Sequence, residues 1–359
     1  MKAAVCHEFG KPLIIEDISI APPQRGEVKV KVTACAICHS DIFYAEGAWG
    51  GTLPAVYGHE AAGVVDEIGP GVTTVDVGDH VVVTLVRSCG HCHFCAQGHL
   101  VACETRFHLD EESPLRCTDG SPITHGLRTG AFAEYAVVDA SQVVRIPRQV
   151  AFDSASLLAC GVITGLGAVV NTANVRPGAN VAVIGTGGVG LNSVQGAALC
   201  GATTIIAVDV SDAKLEAARQ FGATHAVNPN REDLTERVLT LSNGRGVDFV
   251  FVTVGVKAAF DQSYSLISPT GAVVLVGMPA NGVVSEIELL SVASKSQRIL
   301  GCKMGSSHIQ VDIPYLVMQY QQGRLKLDEL ISGRYPLEQI NDAISAVTRG
   351  DALRNVIMF

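Results

Sequence analysis

The chain carries no excess of positive charge: 26 Lys and Arg against 35 Asp and Glu leave a formal net charge of −9. Nucleic acid is thereby excluded as a partner, because its phosphates demand a basic footprint. No uninterrupted apolar run approaches the roughly 20 residues of a membrane span, so no membrane partner is expected. The opening MKAAVCHEFGKPLIIED brings acids early and has no long apolar stretch, which argues against a secretory signal. A cytoplasmic location is the expectation. Internal repeats and low-complexity tracts are also absent. A length of 359 residues is long for one core and comfortable for two domains.

What the chain does have is cysteine in a telling arrangement. Cys89, Cys92, Cys95 and Cys103 sit in RSCGHCHFCAQGHLVACE, with two, two and seven residues between them. Thiolates are soft ligands, and two-residue gaps let the chain wrap one ion. Four protein ligands complete a tetrahedron and leave no place for substrate. The pattern predicts a structural zinc. His91, His93 and His99 lie inside the same run, but the four thiolates already suffice, so these histidines are expected to be exposed.

A second set of ligand types is scattered: Cys38 in AICHSD, His59 with Glu60 in YGHEAAG, and Cys160 in LLACGVITG. Each alone is ambiguous, since a lone buried cysteine is usually a small hydrophobe. Together a Cys, His, Cys set would leave a fourth position open, as a catalytic zinc requires. Six of the 11 cysteines then fall into metal patterns. The odd remainder, Cys6, Cys35, Cys117, Cys200 and Cys302, reads as free thiols and not as a disulfide framework.

The stretch NVAVIGTGGVGLNSVQGAALCGATTIIAVDVSD reads as a strand, a Gly-rich turn, a helix and a second strand ending in Asp209. Gly185, Gly187 and Gly190 have GxGxxG spacing, with Gly188 and Val189 between them. The glycines allow a tight turn, approach of backbone to a pyrophosphate and close helix packing, and the helix N-terminus faces the phosphates with its positive dipole end. Asp209 falls 19 residues after Gly190, where an acid would bind ribose hydroxyls and repel a 2′-phosphate. NAD is therefore expected over NADP.

The first third alternates β-rich runs such as VKVKVTA and GDHVVVTLV with Gly/Pro turns. From about Thr164 to Lys303, apolar strands alternate with helical patterns, which predicts a doubly wound parallel sheet. The overall class is α/β.

A thiolate loop, a split Cys/His/Cys set and a dinucleotide fingerprint on one chain resemble the zinc-containing alcohol dehydrogenases of the medium-chain dehydrogenase/reductase superfamily. The resemblance spans essentially the whole chain and includes GHEAAGVVDEIGPGV, GDHVVV, GAFAEYAVV and the closing LRNVIMF. The Cys at 160 favours the alcohol branch over the polyol branch, which generally lacks it. The resemblance implies a GroES-like β-rich catalytic domain over residues 1–163, completed by 304–359. A Rossmann NAD-binding domain over 164–303 is inserted into it, with the active site in the cleft between the two. Two zinc ions per chain and NAD are the implied cofactors, and a homodimer or homotetramer is the implied assembly, with a tilt toward the dimer.

The same resemblance assigns roles. Ser40 would hydrogen-bond the substrate oxygen and pass its proton toward the nicotinamide ribose. Many members finish that relay with a histidine three residues on, where this chain has Phe43. Asp41 would orient His59, since a metal-bound imidazole normally donates its other N–H to a carboxylate. Glu60 would stand beside the catalytic zinc and bind it transiently or support its ligands. His39 matches a position near the pyrophosphate, Lys214 one at the adenosine ribose and Arg354 one at the pyrophosphate. The alternative for all three is a solvated surface charge.

Pocket walls are expected from Trp49 and the loop before Phe132, favouring primary or secondary alcohols, aliphatic or aromatic. His108 and His125 lie in the turn-rich segment bordering the pocket, without a catalytic role. S-(hydroxymethyl)glutathione as substrate ranks second, because AEGAWGGTLPAV offers Glu46 and no basic group to hold a charged thiol adduct. A non-catalytic zinc and dinucleotide binder is the alternative of another class; retention of the three open-site ligands, Ser40 and Asp209 together argues against it.

Overall fold

All 359 residues are described in a computed structural model of the chain. They divide into two compact units: Met1–Cys160 with His308–Phe359, and Gly161–Ser307. The expected boundaries at 163 and 304 lie a few residues away from these. The shift has a packing cause. Residues 304–307 stay with the second unit because Gly305 sits directly on Gly167, where a side chain would meet the Gly305 carbonyl oxygen at 2.5 Å. Asn171 Nδ2 donates to that same carbonyl at 3.2 Å.

The first unit is β-dominated. Its central strand, Glu27–Ala36, reads EVKVKVTACA, and Val28, Val30 and Val32 turn into the core while Lys29 and Lys31 turn outward. This is the period-2 alternation of a strand with one buried face. One edge pairs antiparallel with Glu60–Ile68. Along the other, the first half pairs with Tyr135–Asp139 and the second half with Arg354–Met358. The closing residues therefore return to the sheet that holds Cys38 and His59 at its strand ends. A second sheet runs Ile14–Asp17, Lys2–Cys6, Ala55–Val56, Thr124–His125.

In the second unit six parallel strands are ordered His225–Val227, Thr204–Val208, Asn180–Ile184, Val247–Val252, Ile267–Leu275, Arg298–Gly301. Numbered along the chain this is 3-2-1-4-5-6, the Rossmann order, with its switch point at Asn180–Ile184. The first two strands in sequence are buried along nearly their whole length, as parallel strands covered on both faces must be.

Phe152–Thr172 forms a helix long and apolar enough to cross a membrane by length and composition, and 83% of its most apolar window is buried among the protein's own side chains. Small and polar residues, Ser154, Ser156, Gly161, Thr164 and Gly165 among them, break up the apolar run in the sequence and hid it there.

Candidate active site and metal centres

Cys38 ends the central strand region and caps the helix His39–Ala45. Its backbone N–H donates to Asp41 Oδ2 at 3.0 Å, so the residue that ties down the helix start also presents a thiol at that point. The other oxygen of Asp41 accepts from Gly58 N at 3.0 Å and lies 2.9 Å from His59 Nδ1. A carboxylate can only accept, so Nδ1 carries a proton and Nε2 is the nitrogen left to face a cation. That nitrogen is buried and has no hydrogen-bond partner. Cys160 comes from a π-helical turn, Leu158–Val162, a local widening of the helix.

The ligand atoms of Cys38, His59, Glu60 and Cys160 all lie within 4.8 Å of one another, and all four residues are buried. A zinc tetrahedron with Zn–S bonds of about 2.3 Å has edges near about 3.8 Å, so the set fits the ion. The electrostatics point the same way. The hydrogen bond from Cys160 holds the Cys38 thiol well below the usual thiol range, helped by His59 and opposed by burial. Cys160 is pushed up in turn by that hydrogen bond and by burial. An orphaned imidazole nitrogen facing two thiols that share a proton is a cation site by its chemistry.

Glu60 is the fourth member of the set. One carboxylate oxygen pairs with the Arg354 guanidinium, and the other, Oε1, is buried without a partner. Burial pushes this carboxyl up to about 7 against the pull of Arg354. Arg354 is itself buried, 5% exposed, so it is not a solvated surface charge.

The four cysteines of the loop also converge to within 4.8 Å. Backbone N–H groups point at the sulfurs: Cys92 N donates to Cys89 Sγ at 3.2 Å, and Cys89 N to Cys103 Sγ at 3.4 Å. The Thr105 hydroxyl first, then the His91 and Cys92 amides, pull Cys89 down to about 6, which favours the thiolate a metal needs. His91, His93 and His99 are exposed.

In the second unit the three fingerprint glycines have three distinct reasons. Gly185 turns at φ +90, and a side chain there would strike Val254 at 2.4 Å; a side chain at Gly190 would strike the Gly185 carbonyl at 1.8 Å. Gly187, at the N-cap of the helix Gly188–Leu199, would meet nothing within 4 Å. Its missing side chain thus leaves open space at a helix N-terminus, the cradle a pyrophosphate requires. The Thr253 hydroxyl braces the turn by donating to Gly185 O at 2.6 Å. Asp209 follows the strand Thr204–Val208, and Lys214 is half-buried in the first turn of the next helix.

Sequence comparison agrees with this geometry. The family signature described as alcohol dehydrogenase GroES-like domain matches residues 24–148, and that described as zinc-binding dehydrogenase matches residues 188–319. The chain belongs to the zinc-containing alcohol dehydrogenases. Among similar proteins, alcohol dehydrogenase class-3 of Zea mays is 38% identical over 99% of this chain and 96% of its own length. The NDMA-dependent alcohol dehydrogenase of Amycolatopsis methanolica is 37% identical, covering 99% and 98%. The crystal structure of benzyl alcohol dehydrogenase from Acinetobacter calcoaceticus superposes with a TM-score of 0.93 at 32% identity, covering 100% of this chain and 99% of that one.

Within this dehydrogenase, Ser40 is half-buried in the first turn after Cys38, and His39 beside it is exposed. Phe43 and Tyr44 meet the Trp49 ring edge-on at 5.3 and 5.2 Å between centroids, and Tyr44 stacks on Tyr57 at 6.0 Å. Phe132 is fully buried beneath Gly58. His108 is tied to Glu27, 3.2 Å away, and His125 has both ring nitrogens shut off without a partner. The Glu60–Arg354 pair and the Thr253 brace were missed by sequence reasoning. Neither sits in a local motif, and only the three-dimensional pairing of strands reveals them.

Proposed function

We propose that the chain is an NAD-dependent alcohol dehydrogenase holding two zinc ions, which transfers hydride reversibly between NAD and a primary or secondary alcohol, aliphatic or aromatic. The observation that carries this reading is the buried set Cys38, His59 and Cys160 with the unpartnered His59 Nε2 among its ligand atoms. Zinc in this set would supply Lewis-acid polarisation of the alcohol oxygen, and nicotinamide would supply the hydride acceptor. The residues of the chain do the rest. Cys38, His59 and Cys160 form the ligand set, with Glu60 drawn away by Arg354 and able to approach when that pairing relaxes. Asp41 fixes the His59 tautomer. Ser40 Oγ takes the alcohol proton and hands it toward the nicotinamide ribose. Phe43 has no proton to carry onward, so residue 43 plays no part in the outer relay.

Cofactor binding falls to the Gly185–Gly190 turn, with Asp209 and Lys214 at the adenosine ribose and His39 near the pyrophosphate. Arg354 joins His39 there in our reading while keeping its bond to Glu60. The aromatic grouping of Phe43, Tyr44 and Trp49 next to Ser40 supports apolar and aromatic alcohols, as does the likeness to an enzyme named for benzyl alcohol. A homo-oligomer is also our reading. Strand Arg298–Gly301 has a neighbour on one side only, and Leu289, Leu290, Val284 and Ile299 near it are exposed. The 11 free cysteines support a reducing, cytoplasmic location.

The test follows reduced-nicotinamide absorbance with zinc-loaded protein, NAD, and a panel of ethanol, longer primary alcohols, benzylic alcohols, sorbitol and S-(hydroxymethyl)glutathione. Turnover of simple or aromatic alcohols supports the proposal. Turnover of the thiol adduct alone replaces it with the glutathione reading, and silence with zinc and NAD both bound means a substrate outside the panel or a non-catalytic relative.

A further inference from the structure

The Asp209 carboxylate is already heavily engaged before any ligand arrives. Its Oδ2 accepts from the Thr186 backbone N–H at 2.8 Å and from the Thr186 hydroxyl at 3.1 Å. Its Oδ1 accepts from Ser211 N at 3.0 Å. An ionised carboxylate offers about four acceptor sites. Three are spent within the protein, and the one left is on Oδ1. Thr186 is fully buried in the glycine turn, between Gly185 and Gly187, so its hydroxyl serves the carboxylate and not the solvent. A β-branched side chain has few rotamers, which makes this hydroxyl a fixed donor.

The donors to the Asp209 carboxylate are all neutral N–H and O–H groups, unlike those of its neighbour Asp212. Asp212 pairs with the Arg231 guanidinium and also accepts from Asn228 Nδ2 at 2.8 Å. Arg231 is the kind of cation that would welcome a 2′-phosphate, and it is engaged by an acid.

We propose that Thr186 is a positioning residue for cofactor recognition: its hydroxyl, together with its N–H, locks one oxygen of Asp209 so that the other is presented to a ribose hydroxyl of NAD. This rests on the reading that the chain uses NAD. The second position of the GxGxxG turn thereby becomes a determinant of cofactor affinity and of the choice against a 2′-phosphate, acting through the acid 23 residues downstream.

The experiment titrates zinc-loaded full-length protein with NADH and with NADPH, for wild type, Thr186→Val, Thr186→Ser, Asp209→Ala and the Thr186→Val/Asp209→Ala double variant. Valine keeps the volume and the backbone N–H but removes the hydroxyl. The expected result is NADH binding weakened about tenfold by Thr186→Val, with NADPH little changed, Thr186→Ser close to wild type, and no further effect of Thr186→Val once Asp209 is alanine. In turnover, the loss should fall on the KM for NAD. Unchanged NADH binding in Thr186→Val overturns the proposal, as does serine proving as harmful as valine, or the two substitutions adding independently. Wild-type protein that prefers NADPH overturns the NAD reading itself, and the proposal with it. Wild type that binds NADH normally while Thr186→Val is silent overturns the proposal alone.

Discussion

Asp41 Oδ1 stands 2.9 Å from His59 Nδ1, and the same side chain accepts from Cys38 N and Gly58 N. One carboxylate thus fixes the helix start that presents Cys38, the turn before His59, and the tautomer of His59. Burial opposes a charge on this imidazole, and Asp41 overrides it, lifting the ring well above its ordinary range. The negative partner is what makes His59 a strong donor. Asp41→Asn keeps the shape and one accepting oxygen but removes that charge and the second acceptor. We expect zinc affinity at this site to fall by about 10- to 100-fold, read by competition with a chelator, while zinc in the cysteine loop is retained.

Ser40 allows a sharper test of proton movement. Ser40→Ala should lower kcat by about 100- to 10,000-fold with zinc content and NADH binding intact, and Ser40→Thr should restore most of the loss. An alanine variant with unaltered kcat, measured at saturating alcohol and NAD, would remove Ser40 from the mechanism.

The two metal sets are separable by their chemistry. The cysteine loop has four sulfur ligands and no neighbouring imidazole in its set, whereas the other set mixes sulfur, nitrogen and a carboxylate. Metal analysis of the wild-type protein should give about two zinc ions per chain. Cys92→Ser should give about one and a lowered melting temperature, because the loop is organised by its ligands and by N–H groups aimed at sulfur. If Cys92→Ser still binds two ions and melts as wild type does, the loop is not a structural zinc site.

The chemistry-bearing motifs were legible in the sequence because each is local. The cysteine spacing, the glycine turn and the Asp209 offset need no knowledge of the fold. Cys38, His59 and Cys160 are the intermediate case: their residue types are plain, but the resemblance to a family joined them before the sheet did. The partner of Arg354 is not legible in the sequence. Arg354 is 294 residues from Glu60, and only the antiparallel pairing of Arg354–Met358 with Glu27–Ala36 brings the two together. A buried ion pair of that kind leaves no periodic trace. Thr186 was passed over for a different reason, as an unconstrained position in a motif defined by its glycines.

The closing-off of the His125 ring nitrogens was equally invisible, and it yields a pH prediction. The residue is half-buried overall, yet both ring nitrogens are closed off from solvent and unpartnered. Burial, then the Arg87 charge, pushes this imidazole down to about 4, from the ordinary value near 6.5. Above pH 6.5 the folded and unfolded chains both hold it neutral, and it contributes its full stability. Between about 6.5 and 4 only the unfolded chain takes up the proton, so stability falls as the pH falls, by up to roughly 3 kcal/mol. Zinc loss in acid would lower stability as well, so the informative quantity is the difference between wild type and His125→Leu. Denaturant unfolding at pH 7 and pH 5 should show the wild type losing more stability than the variant over that interval. Equal losses in the two proteins would mean that His125 protonates in the fold as readily as in the unfolded chain, through a route to water that its closed nitrogens do not reveal.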